Sequence, residues 1–309
     1  MSENMRFAFS SQICPQWDFS TLIAKAREYG YDGVTLAGSV DESVLPASNV
    51  FLTAPQKLRQ QFQDAGVRIA SIASQITPTG VRSRDLKLGD DVRRFLDRAA
   101  ELNSPAVRVL DPSGKTGQSR ADLIQKTAEW LAPLADEAGR LGVQLLVQNA
   151  HALNRAQDLW ALLDYLVNPS LAIAWDQLAA WPEPGSVSIP LLNARLGLTI
   201  LRDAEITNGS MQWKHLGEGH LAVSQAVLRL KGIGYRGFAS FEIPRCEDAE
   251  ERLKDAITKL RGWTKPKEPP KPKVVAKPAA KPAAKPAAAA SDASPAFPPA
   301  APENAVPAK

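Results

Sequence analysis

Eight short, almost unbroken apolar runs recur along the chain, each followed by a longer stretch with apolar residues three or four apart. The runs are 6–10, 33–37, 67–73, 106–110, 143–148, 171–176, 196–201 and 237–242. Strands covered on both faces read this way, whereas half-exposed antiparallel strands alternate polar and apolar residues. The intervening segments 19–30, 55–66, 90–103, 121–142, 156–167, 222–232 and 248–262 have helical spacing. Four of them run into a glycine just past the last turn, in REYGYDG, QDAGVRI, GRLGVQL and KGIGYRG, where helices stop. The connection 180–194 begins WPEPGS and leaves room only for a short or distorted helix. Eight strand-then-helix units predict an α/β fold, a closed parallel (β/α)₈ TIM barrel over residues 1–264. A doubly wound open sheet would offer a glycine-rich phosphate turn after its first strand. The turn there reads SSQICPQWDF.

From residue 265 onward the composition changes. Twelve of the chain's 24 prolines fall in 265–309, a density that removes backbone donors and forbids regular helix. The few apolar side chains there cannot offset the entropy of ordering, so a disordered, extended Lys/Pro/Ala tail is expected. The tail holds eight lysines against Glu268, Asp292 and Glu303. It therefore carries +5, and the preceding part −1, of the net +4. This places any weak, salt-dependent contact with polyanions in the tail; a spacer role is the alternative. The opening residues MSENMRFAFS lack a signal-peptide pattern and no run reaches membrane-spanning length, so a cytoplasmic protein with no membrane partner is expected. Cys14 and Cys246 lack the spacing of a disulfide framework or zinc motif and read as two free thiols that lie on neighbouring strands once the barrel closes.

In such a barrel the reacting groups project from the C-terminal strand ends. Read in turn, those ends offer Ser10, Ser11, Gln12 and Trp17; Ser74 and Gln75; Arg108 and Asp111; Gln148, Asn149 and His151; Asp176 and Gln177; Arg202 and Asp203; and Glu242 and Arg245. Trp17, Trp175, Trp181 and Trp213 also fall at or near the strand ends, where indole rings stack against sugars or else pack the tops of helices.

At these positions the chain resembles the sugar phosphate isomerase/epimerase family of xylose-isomerase-like barrels. The resemblance runs through YGYDGVTLAG, LLVQNAH, LAIAWDQ, ILRDAE with HLGEGHL, and GYRGFASFE. It implies aldose–ketose isomerisation, or epimerisation next to a carbonyl, on a small-molecule sugar or sugar derivative, with an oligomer as an open state. Family members hold one divalent metal on a Glu, an Asp, a His and a second Glu, and the two glutamates shuttle the proton. Asp176 and Glu242 match two of these positions, but Gln148 stands at the first glutamate and Ile200 at the histidine.

A carboxamide has no useful proton affinity near neutral pH, and an isobutyl side chain coordinates nothing. The resemblance therefore implies a partly degraded centre, with Glu242 as the surviving catalytic carboxylate and Asp176 as hydroxyl or metal anchor. Gln148 and Arg202 are the expected substrate binders and Trp17 a stacking wall. Two carboxylates, Asp176 and Glu242, would hold Mg²⁺ or Mn²⁺ weakly or not at all. One base suffices for a 1,2-shift, which leaves isomerisation less damaged than epimerisation. Two alternatives stand beside this reading. Asp176 and Glu242 are salt-bridged strand ends with Arg202 or Arg245 as partners, or the whole barrel is a non-catalytic sugar- or acid-binding protein. A zinc-dependent DNA-repair endonuclease is excluded by ligand supply, since the chain has three histidines and none at the required ends.

Overall fold

The computed structural model describes residues 5–39, 47–80, 82–114 and 117–265; all of the expected tail except Lys265 lies outside them. β1 (Arg6–Ser10), β2 (Gly33–Ala37), β3 (Arg68–Ala73), β4 (Ala106–Leu110), β5 (Gln144–Gln148), β6 (Leu171–Asp176) and β7 (Leu196–Leu201) are the first seven barrel strands. A hairpin of β8 (Asp203–Thr207) and β9 (Ser210–Lys214) precedes the last barrel strand, β10 (Phe238–Phe241). The barrel closes in the order β1-β10-β7-β6-β5-β4-β3-β2, with parallel neighbours throughout.

The helices α1 (Phe19–Tyr29), α2 (Pro55–Ala65), α3 (Arg82–Leu102), α4 (Arg120–Arg140), α5 (Ala156–Tyr165), α6 (Gly185–Leu192), α7 (Val223–Gly232) and α8 (Ala249–Thr264) follow the strands. None of them is long and apolar enough to cross a membrane. Local chemistry sets their ends. Asp18 caps α1 by accepting the Thr21 amide at 2.8 Å, and Gly30 ends it with φ +84°, a conformation that costs other residues a steric penalty. The sixth helix is short, contains Pro190 and decays into a 3₁₀ turn at Asn193–Arg195, as the WPEPGS connection predicts.

Two departures from the sequence reading matter. The α3 helix begins at Arg82 rather than near residue 90, because its first two turns are polar and carry little apolar periodicity. The β8–β9 hairpin was not expected. Its turn is Asn208-Gly209, both with positive φ (51° and 77°), the pair that suits the tight hairpin turn.

The apolar interior has two parts. Most buried side chains lie between barrel and helices, while Ala8, Ala70, Ala106, Leu146, Ala172, Ala174, Leu198, Ile200 and Phe238 form a separate cluster that plugs the lumen. Strand alternation then fixes what stands above the plug. Arg108 shares a face with Ala106, Gln148 with Leu146, Asp176 with Ala174, Arg202 with Ile200, and Glu242 with Phe238 and Ser240.

Candidate functional site

The polar layer above the plug is built from two ion pairs, one buried on both sides and one whose arginine is part-exposed. Glu242, just past β10, receives both arms of the Arg108 guanidinium: Nη1 donates to Oε1 at 2.9 Å and Nη2 to Oε2 at 2.8 Å. Arg108 is 2% exposed and Glu242 5%, so this fork-to-fork pair is shielded from water. Asp176, at the end of β6, is fully buried. Its Oδ1 accepts Arg202 Nε at 3.0 Å, its Oδ2 accepts Arg202 Nη2, and Gln148 Nε2 donates to Oδ2 at 3.1 Å. The amides of Leu178 and Ala179 add bonds of 3.0 and 3.3 Å to Oδ1. A carboxylate has about four lone-pair sites, so Asp176 is saturated.

The two pairs form one cluster. Burial pushes the Arg202 guanidinium down to about 10, Glu242 acts on it in the opposite direction, and Arg108 lowers it further. Arg202 therefore remains a cation at neutral pH and lies within electrostatic reach of both partners of the other pair. Its guanidinium also stands 5.7 Å from the ring of Trp213, which the β8–β9 hairpin carries to this place.

The other polar strand ends position backbone. Asn149 ties β5 to β6 by accepting the Asp176 amide at 2.7 Å and donating to the Asp176 carbonyl at 3.0 Å. Asp111 accepts the amides of Ala150, His151 and Leu153 at 2.6 to 2.7 Å and so shapes the loop after β5; burial raises its carboxyl in spite of those bonds. Asp203 does the same for the Gly-Glu-Gly loop, accepting Gly217, Gly219 and Leu221 amides at 2.8 to 3.1 Å. Glu218 in that loop is paired to Lys259 at 2.7 Å.

Of the residues singled out in the sequence, Asp176, Glu242, Gln148 and Arg202 gather in this layer, with Ile200 in register beside Asp176 and fully buried in the plug. Trp17 packs half-buried against the helix-side core. Trp175 alternates out of the lumen, fully buried among the helices, so it is core and not a stacking surface. Arg245 is exposed, and the partner of Glu242 is Arg108 instead. The signal for Arg108 was present in AVRVL, where alternation sets the arginine on the lumen face. Nothing local shows that its partner lies 134 residues away.

The donor set does not fit a divalent cation. Such an ion needs several free anionic or carbonyl oxygens. Here both oxygens of Glu242 and of Asp176 are committed to guanidiniums, Gln148 is neutral and Ile200 offers no donor. Among the described residues no three of His, Cys, Asp and Glu gather as a metal cluster. The expected weak Mg²⁺ or Mn²⁺ site on Asp176 and Glu242 thus meets carboxylates already neutralised by arginine.

Comparison with known structures identifies the same fold in two epimerases and in a zinc-binding protein. D-allulose 3-epimerase from Methylomonas sp. is 17% identical, with a TM-score of 0.68 over 85% of this chain and 99% of the epimerase. The 3-keto-D-glucoside 4-epimerase of E. coli is 15% identical, with a TM-score of 0.69 over 84% of this chain and all 100% of its own. The IOLI protein, solved with a zinc atom, is 13% identical, with a TM-score of 0.70 over 84% of this chain and 98% of its own. No match was found among curated protein sequences. The family model described as xylose isomerase-like TIM barrel matches residues 23–263. The chain belongs to the xylose isomerase-like TIM barrel family.

Proposed function

We propose that this barrel binds an uncharged polyhydroxylated compound of sugar type at its mouth and does not carry out metal-dependent isomerisation or epimerisation. The observation that carries this reading is the closure of both oxygens of Glu242 by Arg108. A carboxylate that is to lift a proton from carbon must present a free lone pair to the substrate. Both Glu242 oxygens are held by the fixed Arg108 guanidinium, which turns the carboxylate toward the arginine, and the position that the resemblance gives to the other glutamate is the carboxamide of Gln148. Sugar-type ligands are suggested by the structural neighbours, which include a D-allulose complex of the Methylomonas epimerase. The mouth itself supports hydroxyl recognition: Gln148 Oε1 is a buried acceptor without a partner among the described residues, beside the saturated Asp176. Because two guanidiniums balance two carboxylates, the cluster suits a neutral ligand better than a phosphorylated one.

The test combines calorimetric titration with ketoses, aldoses and their phosphates, in EDTA and in Mn²⁺, with proton exchange in D₂O. Saturable binding of an unphosphorylated compound that EDTA leaves unchanged is expected, without deuterium entering next to the carbonyl. Metal-dependent turnover or deuterium uptake would refute the reading, as would the absence of binding across the panel.

A further inference from the structure

The opposite end of the barrel holds a cavity of about 710 Å³, which nothing above has used. It is bounded by the starts of β1, β3 and β10, the C-terminal half of α2 and the turns before β4 and β5. Arg6, Arg59 and Arg68 line it, and none of its lining residues is acidic. Arg6 is fixed: its Nη2 donates to the Arg236 carbonyl at 3.2 Å and its guanidinium lies 4.2 Å above the Phe238 ring. Arg59 and Arg68 make no side-chain hydrogen bond or ion pair among the described residues. The proximity of Arg68 lowers the Arg6 guanidinium, after burial, as expected for crowded like charges. Asp32 acts on Arg6 in the opposite direction, and its carboxylate also accepts the Phe7 amide at 2.7 Å and Arg261 at 2.8 Å.

We propose that this cavity is a binding site for a phosphorylated small molecule carrying at least two negative charges. Guanidiniums bind phosphate through paired N–H donors, and several around one cavity with no acid between them leave a charge excess that a multivalent anion removes. The cavity is of the size that small-molecule sites occupy, roughly 300–1,000 Å³. Gln63 and Asn103, whose side-chain amides can donate, are also among its lining residues. Strands of five or six residues at ~3.3 Å each put it roughly 15–20 Å from the carboxylate cluster. The apolar plug lies between. The two sites are therefore separate, and this one stands whether or not a sugar binds at the mouth.

Calorimetric titration of pyrophosphate into the full chain, at fixed ionic strength and with orthophosphate as the lower-charge comparison, tests it. The native protein should bind pyrophosphate saturably, one per chain and more tightly than orthophosphate. The variant Arg59→Ala/Arg68→Ala should weaken this by at least about tenfold, since each lost guanidinium removes charge-assisted bonds. Both side chains are exposed, so the variant keeps its fold. A thermal melt checks that, and Arg59→Gln alone should show a smaller loss in the same direction. Absence of saturable binding by the native protein overturns the proposal. So does equal binding by the double variant, which would assign the anion to the lysines of 265–309.

Discussion

Replacing Arg108 with leucine removes the partner of Glu242 while leaving an apolar side chain of lumen type in its place. The native pair is two charge-assisted hydrogen bonds of 2.9 and 2.8 Å between groups that are almost wholly buried. Removing one member leaves a carboxylate without compensation in a dry layer, which costs about 3–5 kcal/mol. For a barrel of this size that is a fall in melting temperature on the order of 10 °C. The cost is tempered if Arg202 turns from Asp176 toward Glu242, so the lower end is the safer expectation. The companion double variant Arg108→Leu/Glu242→Leu removes both charges and should recover most of the loss, because a buried pair contributes little over well-packed apolar groups. Urea denaturation of native protein, both single variants and the double variant gives the coupling directly. A loss below about 1 kcal/mol in Arg108→Leu would refute the reasoning, since that is the scale of a solvated surface pair. Glu242 would then be free, and the proposal that Arg108 holds its carboxylate away from a ligand would fall with it.

Two further outcomes follow from the same geometry. Introducing the ligand types that the resemblance implies, with Gln148→Glu and Ile200→His, should not by itself produce Mn²⁺ uptake, because Arg108 and Arg202 still hold both carboxylates. Uptake in a Mn²⁺ titration is expected only when those arginines are replaced as well, and tight uptake by the two-site variant would contradict the account. The thiols should be inert in the native state: burial pushes Cys14 up to about 12 and Cys246 up to about 11. At pH 8 Cys14 is then about one part in ten thousand thiolate, so a thiol reagent should react slowly until guanidinium exposes both cysteines, and two fast equivalents in native protein would contradict this.

The barrel was legible because its strands are buried on both faces and so read as continuous apolar runs, with a glycine stop after four of the helices. What escaped has physical reasons. The β8–β9 hairpin is short and half-exposed, so Glu205, Thr207, Ser210 and Gln212 interrupt any apolar run. Only its Asn208-Gly209 turn announces it. Missing it also hid why Trp213 stands beside Arg202. The polar strand ends were legible as a set, but the sorting of Asp111 and Asp203 into loop anchors depends on backbone amides that converge only in three dimensions. The pairing of Arg108 with Glu242 joins strands four and eight across the lumen, a contact that no local pattern encodes.

The arginines are also the reason two buried carboxylates at the barrel mouth are physically tenable. Two buried carboxylates facing one apolar lumen each pay a desolvation cost of several kcal/mol, and near each other they repel. Some cation must compensate them. With a glutamine and an isoleucine among the neighbouring positions, the chain supplies that cation covalently. Arg202 extends from β7 two residues past Ile200 to Asp176, and Arg108 reaches across from β4 to Glu242. A guanidinium keeps its charge at any physiological pH and holds a planar carboxylate through two parallel bonds. Compensation of this kind is permanent, whereas a metal can leave and an ordinary base must exchange protons. The same feature that stabilises the mouth therefore engages both carboxylates with arginine, which is the physical basis of the proposed recognition role.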